Sequence, residues 1–278
     1  LNRCRPSNSG ALILIYQSYS RNGDYMRILL TNDDGIQSDG LFALIDTIAA
    51  MKDFNGKSLH QVWVVAPEHE RSGVSHAMTL KKPAKLRRLG DSRYSCSGTP
   101  VDCIIIAGLA ILHEKPDLVI SGINRGPNLG TDIVYSGTCG AARQAALQGI
   151  PAIAISCAAH CDNLEYEGLT SFLSANLKEL VALWKPDSFI NINGPSTKSR
   201  DLKAVWTVPG KNKYIDNLKC FDGSDGYTYC FLTEGAEERM PDALSDHHAI
   251  SQGYIAVGLV EVHPRAFHEP SLNGQFVF

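Results

Sequence analysis

The sequence has no long hydrophobic run and no excess of charge of either sign. Its longest strongly apolar stretch, Ile104–Leu112, has nine residues, whereas a helix needs roughly 20 apolar residues to cross a bilayer. The chain carries 26 basic and 29 acidic residues, for a formal net charge of −3. A balance this close to neutral draws a protein neither to nucleic acid nor to a membrane surface. We therefore expect neither a nucleic-acid duplex nor a membrane as partner.

The sequence also lacks the cysteine patterns of disulfide-rich domains and of zinc sites. Its eight cysteines are scattered over 278 residues, with no C-x-x-C pair. Disulfide frameworks belong to small secreted domains, so we expect buried free thiols in a reducing compartment and a cytoplasmic location. The stretch Cys157-Ala-Ala-His160-Cys161 could be half of a zinc site, but the second half is missing.

Three nucleotide-binding or catalytic motifs are absent. No G-x-x-x-x-G-K-[ST] motif occurs, and no G-x-G-x-x-G opens a helix, which excludes the P-loop and the common dinucleotide-binding turn. Gly73-Val-Ser75-His76-Ala77 approximates the turn of serine hydrolases but lacks its final glycine. Met78–Leu80 is predicted to follow it as a strand. Serine hydrolysis through Ser75 is therefore the weaker alternative.

Short apolar segments that alternate with helical patterns predict an α/β fold with a doubly wound, Rossmann-like, mostly parallel sheet. We expect a catalytic core over residues 26–195 and a β-rich region with an oligomerisation arm over 196–278. Residues 1–25 are read as an extension outside the core or an upstream mis-start, with a secretory signal as the minor alternative. The expected strands are 27–31, 61–66, 117–121, 152–156 and 188–193, with strand-like segments at 204–208, 227–232 and 254–262. The expected helices are 40–51, 99–113, 137–149 and 166–184.

Polar clusters follow the first three of these strands: Asn32–Gly35, Pro67–Gly73 and Ser121–Asn128. Ligands of open α/β sheets bind beyond the carboxyl ends of the strands. Three polar loops at one edge of the sheet therefore predict a pocket.

The adjacent acids Asp33 and Asp34 are the first candidate site. Carboxylate oxygens are the ligands preferred by magnesium, manganese and calcium, and a divalent cation would remove the repulsion between the two acids. Acidic residues are also favoured near the amides of a helix N-terminus. The spacing alone does not decide between these two interpretations.

Ser136, Gly137 and Thr138 open the helical run that follows and form the second candidate site. Free amides at a helix start bind anions such as phosphate, although plain capping by Ser136 or Thr138 explains the same residues. A cation site beside an anion site would suit phosphate-ester chemistry.

Several blocks of the sequence, in order, resemble the SurE family of survival proteins. They are RILLTNDDGIQSDGL, VVAPEHERSGVSHAMTL, GTPVDC, SGINRGPNLGTDIVYSGTCGAA and GIPAIAIS. They cover most of residues 26–156. A weaker similarity involves Ser245, Asp246, Gly253 and Tyr254. Residues 1–25, 195–229 and the last ten residues do not match the family's pattern.

The resemblance implies a site and an activity. It assigns one divalent metal ion per subunit, magnesium or manganese, to Asp33, Asp34, Ser72 and Asn124, with the two acids also catalytic. It places Ser136, Gly137 and Thr138 near the phosphate, with Asn32 and Asn128 lining the same pocket.

The implied activity is metal-dependent hydrolysis of nucleoside monophosphates, as a 5′-nucleotidase and also on 3′-nucleotides. The implied assembly is a homodimer or a dimer of dimers that uses the C-terminal arm. The alternative is a non-catalytic, metal-assisted nucleotide-binding protein on the same fold, because fold alone does not give function.

Overall fold

The computed structural model describes residues 25–159, 163–240 and 242–264. The expected extension therefore lies outside the described residues, apart from Tyr25. His160 and Cys161 of the zinc alternative lie outside them as well. Within the described part of the chain, no helix is long and apolar enough to cross a membrane.

A nine-stranded, mostly parallel sheet forms the centre of the molecule. Its strands lie in the order β3-β4-β2-β1-β5-β6-β7-β11-β8, and β9 and β10 form a separate antiparallel hairpin. Five of the strands (β1, β2, β5, β6 and β7) correspond to those expected in the core, which confirms the predicted fold class. Strands β8, β10 and β11 overlap the three strand-like segments expected after it. The bounds are β1 Arg27–Thr31, β2 Gln61–Pro67, β3 Leu86–Arg88, β4 Arg93–Cys96, β5 Leu118–Arg125, β6 Ala152–Cys157, β7 Ser188–Gly194, β8 Ala204–Trp206, β9 Asn212–Asp222, β10 Thr228–Arg239 and β11 Ile255–Glu261.

Helices cover both faces of this sheet. Along β1, Ile28 and Leu30 belong to one buried hydrophobic cluster and Leu29 to the other, because successive side chains of a strand point to opposite faces. The first cluster includes residues of α1 and α5, and the second includes residues of α2 and α4. The helices are α1 Asp39–Ala50, α2 Pro100–Ile106, α3 Asp132–Tyr135, α4 Gly137–Leu147, α5 Glu167–Leu183 and α6 Asp246–Ser251.

Helix α2 begins as its sequence predicts. The Thr99 side chain accepts a hydrogen bond from the Asp102 amide, the Asp102 side chain accepts one from the Thr99 amide, and Pro100 occupies the first turn. The helix then continues as a π-helical turn over Ala107–Ile111. It therefore ends close to the expected limit.

The prediction of a strand over Met78–Leu80 is wrong, because this segment is irregular. The Thr79 amide donates to Asp102 Oδ1 at 3.0 Å and its hydroxyl donates to Asp102 Oδ2 at 2.6 Å. A buried carboxylate thus takes the hydrogen bonds that a strand partner would have taken. The sequence also gave no indication of β3 and β4, which extend the other end of the sheet.

The chain after Gly194 divides between the sheet and the hairpin. Strand β11 pairs antiparallel with β7 and parallel with β8, so both continue the same sheet. The β9–β10 hairpin pairs with itself and exposes most of its residues. The core therefore receives two strands from the C-terminal region.

Candidate active site

The loop after β1 is shaped by Asn32. Its Nδ2 donates to the Gly35 carbonyl at 2.9 Å and to Ser38 Oγ at 2.6 Å, while its Oδ1 accepts from the Gly35 amide at 3.2 Å. Gly35 has φ +102°, a conformation that suits glycine. Asn32 therefore holds the turn that presents the two acids. Its expected contact with phosphate stays a prediction.

Asp33 lies against the N-terminus of α4 and is only 4% exposed. The Thr138 hydroxyl donates to Asp33 Oδ1, and the amides of Gly137 and Thr138 also hydrogen-bond this side chain. Burial raises the pKa of Asp33, and these hydrogen bonds oppose the rise. The amides that were expected to hold phosphate therefore already bond an anion, the carboxylate of Asp33.

Asp34 lies towards the loop after β5. The Arg125 amide donates to Asp34 Oδ2 at 3.0 Å. Burial raises the pKa of Asp34 to about 6, with further upward contributions from Asp33 and Glu70. The two acids thus repel each other in a site that leaves them partly desolvated, which favours a bound cation.

Asn124 reaches the same point from β5. The pairing of β5 with β6 shifts between Ser121 and Asn124, at Gly122, where a Cβ would lie 2.3 Å from the Ile155 carbonyl oxygen. The Asn124 Nδ2 donates to the Gly126 carbonyl at 2.9 Å, and its Oδ1 lies 3.4 Å from Thr138 Oγ1. Asp33 and Asn124 therefore both contact the hydroxyl of Thr138.

Ser72 lies on the loop after β2 and is exposed. The Arg71 amide donates to the Asp33 carbonyl at 2.7 Å, which ties this loop to the acids. The Ser72 hydroxyl donates to Glu70 Oε1 at 2.7 Å. The structure thus brings the loop that carries Ser72 to the site, but the Ser72 hydroxyl bonds Glu70. Sequence reasoning missed Glu70. The only indication was the acidic composition of the Glu-His-Glu stretch.

Asn128 belongs to a buried polar network beneath this edge of the sheet. Its amide nitrogen donates to Asn193 Oδ1 at 2.8 Å, its Nδ2 donates to Ser156 Oγ at 2.8 Å, and its carbonyl accepts from Asn191 Nδ2 at 2.9 Å. Sequence reasoning missed Asn191 and Asn193. Two amides on the same face of an otherwise apolar strand were the available indication, since buried polar groups need partners.

Ser136 caps α4, because its hydroxyl accepts a hydrogen bond from the Cys139 amide at 3.0 Å. The capping interpretation of this residue therefore holds. A phosphate contact for Ser136 stays a prediction.

Ser75 is placed differently from a catalytic nucleophile. It has φ +54°, but its hydroxyl donates to the Val134 carbonyl at 2.6 Å. The neighbouring His76 Nε2 lies 2.9 Å from Gln144 Oε1. The hydroxyl is thus bonded to backbone and not to a general base, which gives the serine hydrolase alternative no support.

The donor set suits a hard divalent cation. Among the described residues, no group of three or more His, Cys, Asp or Glu side chains could hold a metal. Two carboxylates and the amide oxygen of Asn124 are oxygen donors, which magnesium and manganese prefer and which soft metals do not. The arrangement therefore fits the expected cofactor.

Comparison with known proteins agrees with this geometry. The family model "Survival protein SurE" matches residues 28–216. The chain is 39% identical over 237 residues to 5′-nucleotidase SurE of Thermoanaerobacter sp. (strain X514), covering 84% of this chain and 90% of the relative. It is 34% identical over 258 residues to 5′-nucleotidase SurE of Campylobacter concisus (strain 13826), covering 90% and 98%.

A solved structure is also similar. The crystal structure of the SurE protein from Aquifex aeolicus matches with a TM-score of 0.72 and 32% identity, covering 90% of this chain and 97% of that one. The sequence blocks, the sheet and the site geometry thus lead to one conclusion: this chain belongs to the SurE family.

Proposed function

We propose that this protein hydrolyses nucleoside monophosphates to nucleoside and phosphate, as a 5′-nucleotidase that also accepts 3′-nucleotides. The observation that carries the proposal is the meeting of Asp33, Asn124 and Thr138 at the carboxyl edge of the sheet. It occurs in a chain whose relatives are named 5′-nucleotidase SurE.

Metal dependence is general in this family, and we assign one magnesium or manganese ion per subunit to this site. Asp33, Asp34, Ser72 and Asn124 would hold it. A bound divalent cation supplies Lewis-acid polarisation of a phosphoryl oxygen and lowers the pKa of water. For Ser72 the assignment requires its hydroxyl to exchange Glu70 for the cation.

The chain's own residues set the rest of the site. The Thr138 hydroxyl orients the Asp33 carboxylate. Asp33 can serve as a metal ligand or as a base, and these two roles compete for the same carboxylate oxygens. We assign the amides of Gly137 and Thr138, with Ser136, Asn128 and Asn32, to the phosphate side, which requires the two amides to exchange Asp33 for phosphate. Preorganised donors of this kind stabilise the charge that develops on phosphoryl oxygens.

The alternative, a non-catalytic nucleotide-binding protein, is not favoured, because the relatives carry the name of an enzyme. The test is phosphate release from a panel of 5′- and 3′-nucleotides in manganese, magnesium or excess chelator. We expect activity with the metals and none with chelator. Nucleotide binding without turnover would support the alternative, and full activity after dialysis into chelator would contradict the metal assignment.

We further propose a cytoplasmic location and a homodimer or dimer of dimers. Buried free thiols at Cys96, Cys103, Cys139 and Cys157 support a reducing compartment. Exposed apolar side chains on the β9–β10 hairpin support assembly. In this proposal residues 26–195 carry catalysis and residues 196–278 carry the contacts between subunits.

A further inference from the structure

The β9–β10 hairpin carries two cysteines that face each other. Cys220 and Cys230 are register partners on the two strands, and both are exposed. The four other cysteines in the described part of the chain are buried. The expectation of buried thiols is therefore wrong for these two, because the hairpin has no core of its own to bury them.

The hydrogen bonds of the hairpin define what kind of pair they form. The Gly223 amide donates to the Tyr227 carbonyl at 2.7 Å, which makes these two residues a hydrogen-bonded pair. Hydrogen-bonded and non-hydrogen-bonded pairs alternate along an antiparallel ladder. Asp222–Thr228 is then a non-hydrogen-bonded pair, in agreement with the direct contact of its side chains at 2.7 Å. Cys220–Cys230 lies two pairs further along the ladder and is therefore non-hydrogen-bonded as well.

This pair type matches the geometry of a disulfide. Cα atoms of a non-hydrogen-bonded pair lie about 4.5 Å apart, with their side chains on the same face. Disulfides span Cα distances of about 4.4–6.8 Å. The Cys230 side chain lies close enough to Cys220 to raise the pKa of its thiol. A sulfur–sulfur bond therefore needs little movement of the backbone.

We propose that Cys220 and Cys230 form a reversible intramolecular disulfide when a low-molecular-weight disulfide is present. One thiolate attacks that disulfide, forms a mixed disulfide and releases a thiolate. The second cysteine then attacks the mixed disulfide, forms the Cys220–Cys230 bond and releases the second thiolate. The two cysteines lose two electrons and two protons, and the small disulfide becomes two thiols.

The bond would fix the register of an exposed hairpin. On the same face, two residues further from the turn, Leu218 pairs with Leu232, and both are exposed. A hairpin without a core slips register easily, since little burial specifies its pairing. The cross-link would hold this leucine pair in one arrangement, and reduction would release it. The pair is thus a redox-responsive modification site that does not depend on the proposed catalysis.

The test uses the full chain, reduced and then incubated in chelator with oxidised glutathione under native conditions. Chymotrypsin cleaves after Phe221, Tyr227 and Tyr229, all between the two cysteines. We therefore expect non-reducing peptide mapping to find the peptides of Cys220 and Cys230 joined, and reduction to separate them. In Cys220→Ser, Cys230 should instead carry glutathione, and Cys230→Ser should show the converse.

Mixing isotope-labelled with unlabelled chains, and exchanging their subunits before oxidation, distinguishes a bond within one chain from a bond between two copies. Joined peptides of one label only support the proposal. Joined peptides of mixed label would show a bond between copies and overturn it. Glutathione on both cysteines with no cross-link would also overturn it, as would oxidation confined to the buried Cys96 and Cys103.

Discussion

At Asp34, burial and a neighbouring carboxylate act in the same direction on one side chain. Asp34→Asn keeps the shape of the group and removes its charge, and Asn124→Ala removes the amide oxygen that faces Thr138. Loss of one such oxygen group typically lowers the rate by about 10²–10³-fold. We expect each variant to lose that much nucleotidase activity in saturating manganese, measured by phosphate release, with melting temperatures close to that of the parent.

Ser75→Ala is the matched control for these variants. It removes a hydroxyl that only donates to the Val134 carbonyl, so activity should change little. If Ser75→Ala proved more damaging than Asp34→Asn, serine hydrolysis would replace the metal-dependent interpretation.

The raised pKa of Asp34 also predicts how stability depends on pH when no metal is bound. The folded protein binds the Asp34 proton with a pKa of about 6 against an ordinary value of 3.8, so the folded state is the better proton acceptor. The free energy of unfolding should therefore fall as pH rises between these values, by up to about 3 kcal/mol at about 1.4 kcal/mol per unit. Urea unfolding in chelator from pH 4 to 7 measures this change.

Asp34→Asn isolates this effect from other titrating groups. The free energy of unfolding of the parent minus that of the variant should fall as pH rises, because asparagine does not titrate. A difference that stays constant, or that grows with pH in favour of the parent, would contradict the assignment of the raised pKa to Asp34.

At the scale of the elements, strands that are buried on both faces could be predicted, whereas exposed strands could be predicted only in part. Segments such as β1 and β6 are continuously apolar because helices cover both sides of them. Strand β3 is exposed at all three positions, and β9 is exposed along nearly its whole length. Neither carries an apolar periodicity, since no core selects for one, and only their partners define them as strands.

The candidate site, too, could be predicted from the sequence only in part. The sequence could place Asp33, Asn124 and Thr138 at one edge, because the order of strands and loops determines which edge each residue occupies. It could not predict that the Ser72 hydroxyl bonds Glu70 or that Asn128 bonds Asn193. Those contacts depend on the side-chain rotamer and on a partner distant in sequence, and no spacing rule encodes either.

Helix α4 packs closely against the loop that carries Ser72 and Ser75, which gives a prediction for this helix. A Cβ at Gly140 would lie 2.4 Å from the Ser75 carbonyl oxygen, and backbone cannot move aside as a flexible side chain can. Gly140→Ala should therefore push the loop away from α4, at a cost of about 1–3 kcal/mol, and lower the activity. Denaturant unfolding and phosphate release measure the two effects.

Gly108→Ala is the control for this substitution. A Cβ there meets nothing within 4 Å, so the variant should be neutral or more stable by about 0.4–1 kcal/mol. Equal behaviour of the two variants would show that contact with Ser75 does not limit the position of α4.

At the scale of the whole molecule, the C-terminal region has two separable parts. Strand β11 lies between β7 and β8 in the main sheet, so cutting the chain near Asn212 would remove a strand from the sheet along with the hairpin. Such a truncation would test folding and assembly together. The hairpin can be removed alone, because the Met240 amide donates to the Lys211 carbonyl at 3.1 Å and Asn212 pairs with Arg239.

The last prediction uses this closeness of the hairpin's two ends. Replacing residues 214–237 by an Asn-Gly turn should preserve the pairing of Asn212 with Arg239 and of Lys213 with Glu238, since Asn-Gly favours tight hairpins. The variant loses exposed apolar side chains such as Leu218, Phe221 and Leu232 but no residue of the sheet. We expect the parent to be a dimer or a dimer of dimers by light scattering at micromolar concentration. The variant should have a smaller assembly and should still unfold cooperatively, since the nine-stranded sheet keeps all of its strands. A parent that is monomeric and fully active, or a variant that assembles as the parent does, would show that the hairpin does not join subunits.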